Sequence, residues 1–193
     1  MPIASESLRA CAGFVGPVLL CCVMSCSTHS DKRPEQMTQS LAPRYEAYLA
    51  PLGEPLALMK PESDLLTFRL VWLRTFHVPM VVALRVGGDS TGTLRVKQGN
   101  LKGYYPDSLV LDKSLQMDKD TIVHWLAMLD TLDYWRYQPP ADGMVTDGAH
   151  WILEAIGPTG RKSVDVHSPG DSPYRRVCLE LLRLSRTELG PIY

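Results

Sequence analysis

Most of this chain has almost no cysteine. Of five cysteines, Cys11, Cys21, Cys22 and Cys26 crowd the N-terminus, and only Cys178 follows them. One thiol closes no disulfide within residues 27–193, and a domain of about 150 residues, which buries roughly 70% of its unfolded surface, needs none. Cys178 stands beside Val177 and Leu181 on an apolar helical face, where a thiol serves as a small hydrophobe. An excess of either charge is also missing: 20 Lys and Arg face 21 Asp and Glu. Without a basic block there is little to hold a phosphate backbone, so no nucleic-acid partner is expected. Arg74, Arg85, Arg95 and Lys97 read instead as charges spaced along strands. There is no G-x-S-x-G, H-E-x-x-H, C-x-x-C, P-loop or dinucleotide fingerprint. The usual grounds for expecting an enzyme or a cofactor are therefore absent, and none is expected. The chain also shows no internal repeat and no low-complexity tract.

What is present begins with ACAGFVGPVLLCCVM (10–24), an uncharged apolar run behind Arg9. It is short for a membrane span and broken by Gly13, Gly16 and Pro17, but it suits the core of a signal peptide. Val23-Met24-Ser25-Cys26 follows and resembles a bacterial lipobox, with an aliphatic residue three before the cysteine and a small one directly before it. Residues 1–25 are thus expected to be a signal peptide and Cys26 the lipidated residue. Residues 26–43, polar after the cysteine, read as a tether, and 44–193 as one domain. Ser27, where Asp does not follow the cysteine, points to the outer membrane facing the periplasm. A plain secretory signal, giving a secreted protein, and an N-terminal helix that belongs to the core are the alternatives.

Pro43, Pro51, Pro55 and Pro61 keep residues 41–66 from forming a long helix, although Tyr45 to Leu49 can make a turn or two. Residues 67–76 and 80–86 are rich in β-branched and aromatic side chains and read as strands. Residues 91–99 alternate, with Leu94 and Val96 inward and Arg95 and Lys97 outward. A short strand is expected near Leu109 to Leu111. A helix capped by Asp118 is expected over 119–136, with Ile122, Trp125, Leu126, Leu129 and Leu132 as its core stripe. AHWILEAIG and RKSVDVHS flank Gly157 to Gly160 as a hairpin. The burial pattern favours the register that pairs Ile156 with Arg161, placing Trp151, Leu153, Ala155, Val164 and Val166 on one face. His150, Ile152, Glu154, Ser163, Asp165 and His167 share the other, solvated face. A last helix begins at Ser172-Pro173, with Tyr174, Val177, Cys178, Leu181 and Leu184 inward, and Gly190-Pro191 stops it. The order ββββαββα predicts an α+β fold: an antiparallel sheet of about six strands with two helices on one face.

With these segments in place the chain resembles a family of uncharacterised lipoproteins of Gram-negative bacteria. The resemblance rests on WLRTFHVP (72–79), GYYPDSL (103–109), LDTLDYW (129–135), DGAHWILEA (147–155) and VDVHSP (164–169). It implies an anchored cell-envelope protein and carries no catalytic residue over. It also implies an aromatic residue near position 167, where this chain has His167.

Two constellations can carry chemistry. The favoured hairpin register sets His150 opposite His167 and Ile152 opposite Asp165. Opposed side chains stand with Cβ atoms about 5 Å apart. Two imidazoles and a carboxylate at that spacing suit a zinc ion, or a His–Asp general base. Alternatively they are polar residues on the wet face of a sheet. Tyr104 and Tyr105 in a loop, and Trp135 at the close of the first helix, can stack on a sugar or fill a partner's groove, or simply plug the edge of the core. The expectation is an exported, lipid-anchored module that binds an envelope protein or glycan. The alternative is a metal-dependent hydrolase using His150, His167 and Asp165.

Overall fold

The β-branched run Leu66–Arg74 (β1) is buried along nearly its whole length, which requires cover on both faces of the sheet. β1 pairs antiparallel with Met80–Val86 (β2), and β2 with Gly92–Gly99 (β3). Leu109–Met117 (β4) follows β3, and Ala149–Gly157 (β5) and Gly160–His167 (β6) form the last hairpin. All neighbours are antiparallel, in the order β4-β3-β2-β1-β5-β6. This computed structural model describes residues 43–55, 65–140, 147–158 and 160–192, all within the unit Gln36–Tyr193. The expected signal peptide, Cys26 and the tether up to residue 42 lie outside the described residues.

Even-numbered positions of β1 (Phe68, Leu70, Trp72) face two helices, Lys119–Thr131 (α2) and Pro173–Leu184 (α3). Asp118 accepts from the Thr121 N–H at 2.9 Å and Ser172 from the Arg175 N–H at 3.2 Å, so each helix starts at its side-chain cap. Ile122, Trp125 and Leu129 of α2 and Tyr174, Val177, Cys178, Leu181 and Leu182 of α3 close this layer. The α+β class, six antiparallel strands and two helices on one face are as expected, and so is the hairpin register, with His150 opposite His167 and Ile152 opposite Asp165.

The other face departs from expectation. Over β1 and β5 it is covered rather than solvated: a short helix, Glu46–Leu49 (α1), flanked by 3-10 turns at Pro43–Tyr45 and Ala50–Leu52, lies across it, while Arg95 stays exposed as expected, with Arg85, Ser114 and Gln116 exposed beside it. Tyr45, Leu49 and Leu52 pack on Val71, Leu73, Val81 and Ile152. Beneath this stretch Arg69 and Glu154 are paired at 2.6 Å, 0% and 1% exposed. Glu54 bridges Arg69 at 3.2 Å and Lys97 at 2.7 Å, and Lys97 donates to the carbonyls of Leu52 and Gly53. Lys97 therefore points away from the main core as expected, but into a covered ionic cluster rather than water.

Three boundaries also differ. β4 runs nine residues, because Leu111, Leu115 and Met117 reach the core between charged neighbours that mask the alternation. α2 ends at Thr131 rather than 136: Asp133 takes a left-handed φ of 49°, and the chain folds Tyr134 under the sheet. There its hydroxyl donates to the Leu153 carbonyl at 2.7 Å. α3 stops at Leu184, well before Gly190, with Arg186 left-handed just beyond.

Candidate functional site

The site is built around the polar end of the last hairpin. Gly148 leads into β5 with φ +154°, and a Cβ there would collide with Ser168 Oγ, so only glycine passes. Next comes His150, whose ring stacks on that of His167 with centroids 4.6 Å apart and planes inclined by 19°. Its Nδ1 lies 3.0 Å from Asp165 Oδ1, so a proton on Nδ1 is held at that contact. Tyr45, delivered by the turn before α1, donates to Asp165 Oδ2 at 2.6 Å and stands edge-on to His150. Arg44 donates to the Tyr45 hydroxyl at 2.7 Å and lies 3.8 Å from Asp165.

Burial works to raise the Asp165 carboxyl, but the hydrogen bonds from His150 and Tyr45 and the charge of Arg44 outweigh it and hold it below its ordinary range. Burial, then the carboxylate itself, push the Tyr45 phenol well above its usual value, so it remains a donor. The expected metal set is not assembled. Among the described residues no three His, Cys, Asp or Glu side chains are grouped to hold a metal ion. The reason is geometric: ring-nitrogen lone pairs lie in the ring plane, and two near-parallel stacked rings do not aim them at one point. His150 and Asp165 do form a His–Asp pair, which can accept a proton or a ligand hydroxyl through Nε2.

His150 and Tyr45 open on a cavity of about 370 Å³, within the range of small-ligand sites. Its wall combines Tyr48 of α1, Leu73 to His77 at the end of β1, and the loop residues Leu101, Gly103, Tyr104 and Tyr105. Asn100 holds that loop closed: its Oδ1 accepts from the N–H groups of Asp107 and Ser108, and its Nδ2 donates to Asp107. Lys102 bridges Tyr105 across a tight turn in which Gly103 takes φ +75°, and Tyr104 is left 83% exposed. Tyr48 meets Tyr105 edge-on at 5.0 Å. Phe76 is 71% exposed although its backbone holds φ at +63°. That is a strained position for a bulky residue, of a kind that clusters at functional sites.

Tyr104 and Tyr105 thus meet at one site, as the sequence suggested, but Trp135 does not join them. It is exposed elsewhere, against Tyr134, with Lys162 donating to its carbonyl. Sequence reasoning missed Arg44, Tyr45, Tyr48 and Phe76. The i, i+3 spacing of Tyr45 and Tyr48 in one helical turn was the available signal.

Replacing Phe76 with Gly is expected to raise stability by about 1 kcal/mol, because glycine takes φ +63° without a Cβ penalty and little burial is lost. Chemical denaturation reads this directly. A destabilised Phe76→Gly would mean that the ring is held by packing rather than displayed.

Comparison with known protein families finds no match to this chain. Comparison with curated proteins finds none either. Among the described residues no helix is long and apolar enough to cross a membrane.

Proposed function

We propose that this chain is an exported, lipid-anchored protein of the bacterial envelope, held at the outer membrane through Cys26, whose domain is a non-enzymatic binding module. The observation that carries the binding role is the convergence of Tyr48, Phe76, Tyr104 and Tyr105 at the mouth of one cavity. Exposed rings offer large contact area at small entropic cost, and a cluster held by a closed loop and a strained backbone is presented in advance of any ligand. The anchor is supported by the apolar run that ends at Val23-Met24-Ser25-Cys26.

One experiment in cells tests both halves. A photo-crosslinking residue is placed at Tyr104, or at Val123, which is exposed outside the pocket, in the full chain and in Cys26→Ser. The full chain is expected in the membrane fraction, with an envelope component captured from position 104 and not from 123. Cys26→Ser is expected to become soluble or unprocessed. Equal membrane association of Cys26→Ser would refute the anchor, and equal capture at the two positions would refute the pocket.

A further inference from the structure

We infer that the partner of this site is the lipid surface to which the chain is anchored: the side chains at the cavity mouth dock in the membrane interface. This names the partner of the binding module and rests on the anchored-module reading.

The place where the anchored chain enters the domain comes first. Pro43 and Arg44 open the first described turn, and Arg44, Tyr45 and Tyr48 belong to the cavity wall. The entry point therefore lies at the rim that Phe76, Leu101, Tyr104 and Tyr105 complete. Residues 26–43 reach at most about 60 Å even when fully extended. Attachment at Cys26 thus confines the domain near the surface, at an effective concentration in roughly the millimolar range, and the rim beside the entry point is confined most closely. A contact too weak to hold a free protein is then enough to orient an anchored one.

The chemistry of the rim points the same way. Phe76, Leu101, Tyr104 and Tyr105 are all exposed. Phe76 and Leu101 have no polar side-chain atom, so water is a poor medium for them. The two tyrosines join an apolar ring to a hydroxyl, the combination that concentrates where hydrocarbon meets water. Asn100 closes the loop that carries them, and the φ of +63° fixes where Phe76 points, so the group is displayed before any contact. By contrast Val123, Trp135 and Ile192, also exposed, lie outside this cavity wall, and scattered apolar residues are ordinary. Charge plays no part in the docking. Arg44 is paired with Asp165 and Lys102 with Asp107, and Arg74 lies over Trp72 with its N–H groups donated to carbonyls. An extended peptide is less well served, because β1 and β5, the strands reaching the cavity, are interior to the sheet and offer no open ladder.

The test reconstitutes the full chain into phosphatidylcholine vesicles, with or without brominated acyl chains, carrying an environment-sensitive fluorescent residue at position 104 or at the exposed position 123. The brominated chains should quench the probe at 104 and not the probe at 123. Adding phosphatidylglycerol should change neither, because the contact is apolar. With the probe at 104, Phe76→Gly should lower the ratio of docked to undocked protein about tenfold, the equivalent of withdrawing one apolar side chain from hydrocarbon. Leu101→Ser should act in the same direction. Thermal melts confirm that each variant is folded, and flotation shows whether it stays with the vesicles. Equal quenching at the two positions, no quenching at 104 in a chain that floats, or quenching unmoved by both substitutions would overturn the docking and leave the anchor standing. Quenching that requires phosphatidylglycerol would overturn its apolar basis. Capture of a protein rather than a lipid from position 104 in cells would overturn the lipid surface and leave the binding module standing. A chain that does not float with the vesicles would overturn anchor and docking together.

Discussion

Arg69→Met should cost about 3–5 kcal/mol of stability, the range for removing one partner of a buried ion pair. Arg69 holds Glu154 at 2.6 Å in a place where neither is exposed to water, and it also donates to the Pro55 carbonyl at 2.6 Å. Its loss leaves a carboxylate buried on the central strands. Burial already pushes the Glu154 carboxyl up more than Arg69 draws it down, so part of the loss is expected to appear as proton uptake. Denaturant unfolding at two pH values measures both: the variant should be less impaired at the lower pH, where the orphaned carboxyl is neutral. The double variant Arg69→Met with Glu154→Leu should recover most of the loss, because an apolar pair of similar volume needs no partner charge. A harmless single substitution, or a double variant no better than the single, would mean that the face is wetter than described.

Trp151→Ala is expected to be as damaging, about 3–5 kcal/mol, the cost of emptying a large aromatic site in a core. Trp151 is fully buried, its ring tilted against that of Trp72 at 5.4 Å, and the hydroxyl of Tyr174 lies 2.6 Å from its carbonyl. His150→Ala makes the comparison, since it stands one position away on the opposite face. Read from the sequence alone, that face is solvated and the change should stay within about 0.5 kcal/mol if no metal is bound. Bonded to Asp165 and stacked on His167, His150 is instead expected to cost about 1 kcal/mol. Thermal melting of the three proteins decides. A tolerant Trp151 would overturn the hairpin register and the core built on it.

What the sequence made legible was whatever had a period. The hairpin register follows from alternation, and both long helices start where Asp118 and Ser172 offer caps. The far side of the sheet was not legible. Arg69, Lys97 and Glu154 look like wet-face residues, and nothing local says that Glu54, distant in the chain, will come to rest among them. A polar residue is outward by default unless its partner is known, and partners are tertiary information. The same reasoning applies to the site. Tyr104 and Tyr105 are conspicuous in a loop, but Phe76 declares itself only through a backbone angle. Arg44 and Tyr45 matter only because the N-terminal stretch folds back over β5 and β6. The opposed histidines were placed correctly, but whether opposed rings can share a metal ion depends on their orientation, which alternation does not give. Here the two rings are stacked.

The N-terminal stretch has a mechanical consequence. Arg44, Tyr45 and Tyr48 belong both to the first described turns of the domain and to the cavity wall. A pull applied at Pro43 loads this stretch before any strand. It would peel from the sheet contact by contact, as Tyr45 leaves Asp165, Leu49 and Leu52 lift off, and Glu54 parts from Lys97, with no strand ladder sheared along its length. The six-stranded sheet would keep its hydrogen bonds throughout. The cavity would lose one wall at the first step, so tension on the chain and occupancy of the pocket oppose each other.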